Sequence, residues 1–367
     1  MFESIKTPTM IIDIAKVKNN ICFMERIAKQ NKTNLRPHIK THKIPELAKM
    51  QLDAGAVGIT CAKLSEAEVM ADAGIKDIFL AYPLVEKEKL EHAIDLAKRI
   101  RLILSIDSFE GACLMSEVAS NSGLEAEVRI EVDTGLKRTG ISVDNVLKLG
   151  KHIKNLPGLN LTGIYTYRGL VLDAKQTDDR EAAGRQEGEL LVSLAEELKD
   201  EGLNIREVSV GSTPTAEFAA KVDGITEIRP GTYIFNDIMQ VNSKSATIDD
   251  CAAIVIVSVI STPSDDLAVV DGGSKTFSTD AKIDSFPYFL KGYGKILGYD
   301  DLILDRLWEE HGVIRSGYGK TNLKIGQKLM VIPNHICTTI NLHDDVYFTD
   351  ADASFRKVKV EARGKLW

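Results

Sequence analysis

The densest run of reactive side chains in the chain is Arg36-Pro37-His38-Ile39-Lys40-Thr41-His42-Lys43. It sets a primary amine between two imidazoles. Side chains alternate faces along a strand, so His38, Lys40 and His42 share one face if an extended strand runs that far. An amine in that setting forms a Schiff base with a carbonyl when burial or nearby positive charge keeps it partly neutral. The competing reading is a polar strand end with solvated side chains, and the residues by themselves leave both open. The spacing of the two histidines would suit zinc on a helix, but Pro37 and the strand-like surroundings argue against a helix.

Two further constellations stand apart from this run. Gly211-Ser212-Thr213 follows an apolar, strand-like stretch and precedes a helical one. Small residues let backbone N–H groups approach a phosphate, and the hydroxyls add donors. Gly231-Thr232-Tyr233 has a similar composition, and either segment alone reads equally as a turn. His335 and Cys337 are separated by one residue on a predicted strand, so both side chains point the same way. Such a pair in a strand reads more often as structural than as a metal site; as ligands the two would leave a tetrahedral site open, with a thiolate favouring zinc over harder cations. His343-Asp344-Asp345 reads as a solvated turn. Gly292-Tyr293-Gly294 with Gly298 lacks the strand and helix of a dinucleotide-binding loop and is set aside.

The elements that must position these groups come in two patterns. Strand-like segments at 34–40, 55–62, 77–83, 101–107, 126–133, 161–168, 207–212 and 227–235 are short and mostly rich in Val and Ile, as buried parallel strands are. Amphipathic segments such as 14–29, 65–74 and 180–200 lie between them, the second opening on a capping-box pattern, Ser65 with Glu68. Eight such alternations over roughly 230 residues predict a (β/α)8 TIM barrel. Beyond about residue 246 the strand-like runs 251–261, 267–271, 328–334 and 356–362 crowd together, which predicts a second, mainly β domain. The expected boundaries are 14–245 for the barrel and 246–367 for the β domain, joined by an N-terminal strand within 1–13.

Bulk properties narrow the class. With 367 residues, 44% hydrophobic, the chain can bury a large core. A net charge of -7 without a long basic run argues against nucleic acid, and no apolar run is long enough to predict a membrane span. Five scattered cysteines and an N-terminus without a signal-type apolar core predict a cytoplasmic protein.

The run RPHIKTHK resembles the cofactor-lysine segment of the D-threonine aldolase and D-serine dehydratase family, pyridoxal-phosphate enzymes of the alanine racemase fold. The likeness continues through TPTMIID, EVDTGLKRTGI at 131–141, VSVGSTPT at 208–215, EIRPGTYIFND at 227–237, VVDGGSKTFSTD at 269–280, EEHG at 309–312 and PNHICTTINLHD at 333–344. It implies that Lys40 carries the cofactor and serves as base, and that His38 and Arg138 border the cofactor, Arg138 facing its phenolic oxygen. It also implies that Gly211, Ser212, Thr213, Gly231, Thr232 and Tyr233 cup the phosphate and that Arg229 meets the pyridine nitrogen. An arginine there would leave that nitrogen unprotonated, which weakens the ring as an electron sink. Arg168 stands where many relatives have another polar residue, so no role is carried over to it.

The resemblance places a divalent metal at His335 and Cys337, zinc by preference, with manganese or magnesium as alternatives. Relatives that dehydrate typically show His-x-Cys there and relatives that perform aldol cleavage His-x-Asp, so this chain matches the dehydratases. Tyr165 and Tyr167 are expected on one face at the end of the sixth barrel strand, with Tyr165 as a catalytic candidate. Glu310 and His311 are candidates for lining the mouth, His311 as a catalytic residue. The expected activity is dehydration of a D-3-hydroxy amino acid to a keto acid and ammonia by a homodimer. The alternatives are retro-aldol cleavage, metal-free racemisation and a non-catalytic cofactor carrier.

Overall fold

The computed structural model describes residues 5–349 and 354–367, so residues 1–4 of the expected N-terminal strand region and 350–353 of the expected β domain lie outside it. The chain divides into two compact units. One comprises Cys22–Lys40, Pro45–Gly231 and Gly364–Trp367, the other Met1–Ile21, Thr41–Ile44 and Thr232–Arg363.

The main path of the first unit's sheet comprises eight parallel strands. Their spatial order is Asn34–Leu35, Glu227–Ile228, Glu207–Val210, Leu159–Tyr165, Ala126–Asp133, Arg101–Ile106, Asp77–Pro83 and Ile59–Cys61. The two ends of this path meet at a parallel bridge between His38 and Thr60, where the Thr60 N–H donates to the Pro37 carbonyl at 2.8 Å. This is the predicted (β/α)8 barrel. Strands 77–83 and 126–133 match the sequence reading, but the expected 34–40 and 227–235 shrink to two residues each. Pro37 supplies no N–H to the ladder, and after the His38 bridge the chain tightens into a 3-10 turn, Ile39–Thr41. After Ile228 the chain meets Pro230 and likewise curls into a 3-10 turn, Thr232–Ile234.

The intervening helices follow local chemistry. Arg180–Asp200 starts at Asp179, whose carboxylate accepts the Ala182 N–H, and Phe109–Asn121 starts at Ser108, which accepts the Gly111 N–H. The capping box expected at Ser65 and Glu68 is not formed. Lys63 holds the N-cap position of helix Leu64–Asp72, and Ser65, inside the first turn, instead donates its hydroxyl to the Trp367 carbonyl at 2.9 Å.

The barrel interior carries buried charge as well as aliphatic side chains. Glu227 accepts from Arg36 Nε at 2.7 Å, from an Arg129 NH group at 2.6 Å and from the Ser209 hydroxyl at 2.6 Å. Arg36 also pairs with Asp77. Burial pushes the Glu227 carboxyl up, but the two guanidiniums and their hydrogen bonds outweigh it and hold the group far below the usual carboxylate range. The Arg129 guanidinium lies over the Phe79 ring at 4.9 Å.

The second unit is built on a nine-stranded sheet. Its main path is Leu302–Leu307, Gly312–Ser316, Leu267–Val270, Ala253–Ser264, Thr9–Asp13, Asp345–Thr349 and Phe355–Lys359. The strand Thr9–Asp13 pairs with Ala253–Ser264 and with Asp345–Thr349, all within this unit. Lys328–Pro333 pairs on the other side with Ala253–Ser264 and with Gly294–Ile296.

Removing the shared carboxylate with Glu227→Ala leaves Arg129 with only the 3.9 Å contact to Glu207 and Arg36 with Asp77 alone. Urea unfolding of that variant is expected to show a loss of roughly 3–5 kcal/mol, the cost of breaking a buried ion pair from one side. A loss no larger than that of an ordinary surface substitution would contradict the assignment.

Candidate functional site

The strands of the barrel run parallel, so the segments that follow them share one rim, where barrel sites are built. Lys40 stands on that rim in the 3-10 turn, and its backbone N–H donates to His38 Nδ1 at 3.4 Å. His42 is fully buried, its Nδ1 accepts the Ile44 N–H at 3.1 Å, and its ring meets Phe235 edge-on. The expectation that His38, Lys40 and His42 share a strand face therefore fails, because the turn breaks the two-residue alternation.

The partner of Lys40 is an aromatic ring. Its Nζ lies 5.2 Å from the Tyr167 ring centre, and the Arg138 guanidinium lies 5.1 Å from the same ring. Neither cation forms an ion pair among the described residues. Arg138 is delivered by a tight loop in which the Asp133 carboxylate accepts the N–H groups of Gly135 and Lys137 at 2.9 and 3.0 Å. Gly140 ends that loop at a φ of +104°, where a Cβ would stand 2.5 Å from the Asp133 nitrogen.

Tyr165, the last residue of its strand, is placed differently from Tyr167. It is 1% exposed, hydrogen-bonds with the Ser105 hydroxyl at 2.5 Å and meets Phe79 edge-on, beneath the Arg229 guanidinium. The strand stops at Tyr165, so the shared face expected for the two tyrosines does not extend to Tyr167. Arg229 is buried and donates to the Ser209 hydroxyl and to the Thr166 carbonyl.

Gly211, Ser212 and Thr213 follow the strand Glu207–Val210, and both hydroxyl residues are buried. Gly231 closes the barrel unit, and Thr232 and Tyr233 open the next turn, Thr232–Ile234. Thr232 Oγ1 lies 3.5 Å from Cys337 Sγ.

In the β unit, His335 and Cys337 are not on a strand. The strand ends at Pro333, His335 is the N-cap residue of the short helix Ile336–Ile340, and Cys337 lies in its first turn. His335 Nδ1 meets Asp280 Oδ2 at 2.7 Å, and Asp280 also accepts the Ser278 and Thr338 hydroxyls. The Cys337 sulfur faces the Thr41 hydroxyl at 3.1 Å. Asp237, fully buried, accepts the Ile336 and Gln240 N–H groups and so fixes the start of the helix. Burial works against charge on both groups, but it is outweighed. Asp280 and Cys337 hold the His335 imidazole well above its ordinary value, and His335 holds the Cys337 thiol below its own. His335 Nδ1 is committed to Asp280.

His311 is exposed in the turn between Leu302–Leu307 and Gly312–Ser316, and neighbouring Glu310 pairs with Lys275. Sequence reasoning left Asp280, Asp237, Glu131 and Glu187 without a role. Asp280 ends the 269–280 run that carried part of the resemblance, which was the one available signal. Glu131 is buried beside the Arg138 loop, accepts the Thr139 hydroxyl at 2.8 Å and is pushed up by burial.

A family profile described as alanine racemase, N-terminal domain, matches residues 12–238. The chain belongs to that family. A second profile, described as a serine dehydratase domain, matches residues 252–349 of this family member. The D-threonine aldolase of Arthrobacter sp is 32% identical over 343 residues, 93% of this chain and 88% of the relative. The D-threo-3-hydroxyaspartate dehydratase of Delftia sp. strain HT23 is 32% identical over 352 residues, 92% of each. A solved D-threo-3-hydroxyaspartate dehydratase variant, with a cysteine replaced by alanine and in the metal-free form, superposes with a TM-score of 0.91 at 31% identity, covering 100% of this chain and 99% of that one. Among the described residues of this family member, no helix is long and apolar enough to cross a membrane.

The residues fit both implied groups. Two rim cations with no ion pair among the described residues suit an anionic aromatic cofactor, and a cysteine sulfur beside an imidazole suits a soft divalent ion. No third His, Cys, Asp or Glu joins that pair among the described residues, so further ligands would come from water or substrate.

Iodoacetamide titrated against pH is expected to alkylate Cys337 of the metal-free protein with a midpoint below the ordinary thiol value of about 8.5. Cys251, pushed up to about 12 by burial, resists over the same range. Asp280→Ala moves the Cys337 midpoint upward. An unchanged midpoint in that variant would contradict the coupling.

Proposed function

We propose that this protein is a pyridoxal-phosphate- and divalent-metal-dependent lyase that removes the β-hydroxyl of a D-3-hydroxy amino acid, giving a keto acid and ammonia. The observation that carries the dehydration reading is the donor pair itself, a cysteine sulfur and a histidine ring anchored by Asp280. When bound, the cofactor would draw electron density from the α-carbon and the metal would make the β-oxygen a better leaving group.

This chain's own residues have separate tasks. Lys40 holds the cofactor and takes the α-proton at Nζ. Tyr167 keeps that amine in place from below its ring face, and Arg138 offers a fixed cation to a developing oxyanion. Ser212 and Thr213, with Gly211, Gly231 and the turn from Thr232 to Tyr233, hold the phosphate. Arg229 meets the ring nitrogen and His38 borders the cofactor. His335 and Cys337 hold the metal, zinc by preference, and Asp280 orients His335. Tyr165 and His311 remain the further catalytic candidates of this reading. The protein acts as a cytoplasmic homodimer on this reading, and its five free cysteines support a reducing compartment.

A second reading is retro-aldol cleavage, favoured by the similarity to a D-threonine aldolase. The same metal would then acidify the hydroxyl instead of expelling it. Incubation with D-threonine, D-serine and D-3-hydroxyaspartate, with zinc or manganese, separates the two. Keto acid and ammonia are the expected products, and glycine with an aldehyde would overturn the proposal. Cys337→Ala is expected to lower kcat by at least about 100-fold, since Lewis-acid assistance is worth several kcal/mol. Full activity of that variant in the presence of chelator would leave no place for the metal.

A further inference from the structure

Helix Arg180–Asp200 runs against the loop that follows the strand Glu207–Val210, and the approach is close. A Cβ on Gly184 would stand 2.8 Å from the Thr215 carbonyl oxygen. One turn further along, Glu187 points into the same contact and is fully buried. Its Oε1 accepts the Arg168 backbone N–H at 3.0 Å. Its Oε2 faces the Thr215 hydroxyl at 3.5 Å, long for such a contact. The Thr215 oxygen in turn accepts the Ser212 N–H at 3.2 Å and lies 2.9 Å from the Ser212 hydroxyl. A buried carboxyl, two hydroxyls and the proposed phosphate loop thus form one line.

We infer that Glu187 is a positioning residue that sets the donor direction of this hydroxyl line, so that a phosphate dianion entering the loop draws a proton onto Glu187. The inference rests on reading Gly211-Ser212-Thr213 as the phosphate loop. Each hydroxyl has one proton to give. When Glu187 is ionised, Thr215 donates to it, Ser212 donates to Thr215, and Ser212 offers only lone pairs to an anion. When Glu187 is protonated it donates to Thr215, Thr215 donates to Ser212, and the Ser212 proton is free for a phosphate oxygen. No bond other than O–H is made or broken.

The charges that face Glu187 are the Arg168 guanidinium beyond the strand Leu159–Tyr165 and the Arg229 guanidinium beyond Glu227–Ile228. Thr215 is the hydroxyl contact. Burial raises the carboxyl and both arginines lower it, and burial prevails, leaving it at about 7. A dianion beyond Ser212 adds negative charge and raises it further. The sign follows: below about 7 the proton is already in place, and above it phosphate binding must take one up.

The test is calorimetric titration of pyridoxal 5'-phosphate into the cofactor-free protein, in two buffers of different ionisation enthalpy, about one pH unit above that value. The wild type is expected to take up close to one proton more than Glu187→Gln, whose amide donates at every pH. Its Kd relative to Glu187→Gln should rise by up to ~tenfold per pH unit across the same range. Pyridoxal, which lacks the phosphate, should show no difference between the two proteins. Thr215→Val, which cuts the line while keeping Glu187, should also lose the extra uptake, and it stands in if Glu187→Gln does not fold. Equal uptake in the wild type and either folded variant overturns the inference, as does an extra proton that appears with pyridoxal too. A wild type that binds no cofactor and yields no Lys40 adduct overturns the cofactor reading instead, and the inference with it.

Discussion

Glu227 is buried inside the barrel with its carboxylate divided between Arg36 and Arg129, and this shared charge constrains most of the unit. A lone ion in that interior would cost several kcal/mol, so the strands that carry these groups must bring them together. Five of the eight strands are tied by it, through Arg36, Asp77, Arg129, Ser209 and Glu227. Each tied strand then runs on to the rim. Four residues past Arg36 is Lys40, beyond Arg129 the loop leads to Arg138, past Ser209 is Ser212, and past Glu227 is Gly231. Polar packing inside the barrel thereby fixes the register of the groups that stand on its rim.

The β unit solves a different problem. A histidine and a cysteine must be presented together without a regular strand to align them. A short helix does this, its start pinned by Asp237 and its N-cap imidazole held by Asp280. Both carboxylates come from segments distant in sequence, so the pair is a product of tertiary folding. The hydroxyls of Thr41 and Thr232 complete the surroundings of the sulfur. The thiol is thus held below its ordinary value by His335, and loading an ion displaces the proton the pair shares.

The barrel was legible because parallel strands buried on both faces leave continuous Val- and Ile-rich runs, and the strands 77–83 and 126–133 carry them cleanly. Strands 34–35 and 227–228 were overextended, since pattern alone does not register that a proline and a 3-10 turn end the pairing. The strands 302–307 and 312–316 were missed, being half-exposed with charges interleaved. For the site, residue types marked Lys40, His335 and Cys337, but not the groups that hold them. Tyr167, Asp280 and Glu187 are ordinary in their local sequence and become meaningful only through the neighbours that folding provides. The strand geometry expected for His335 and Cys337 was wrong for the same reason: the hydrophobic run 328–334 continues smoothly into them, while the backbone does not.

The account turns on the Lys40 amine being the attachment point for the cofactor. Borohydride reduction of the protein after incubation with pyridoxal 5'-phosphate, followed by proteolysis and peptide mass mapping, tests it directly. The predicted result is a single pyridoxyl adduct on the peptide containing Lys40, lost in Lys40→Ala. An unmodified Lys40 in the presence of saturating cofactor, or an adduct only on other lysines, would contradict it.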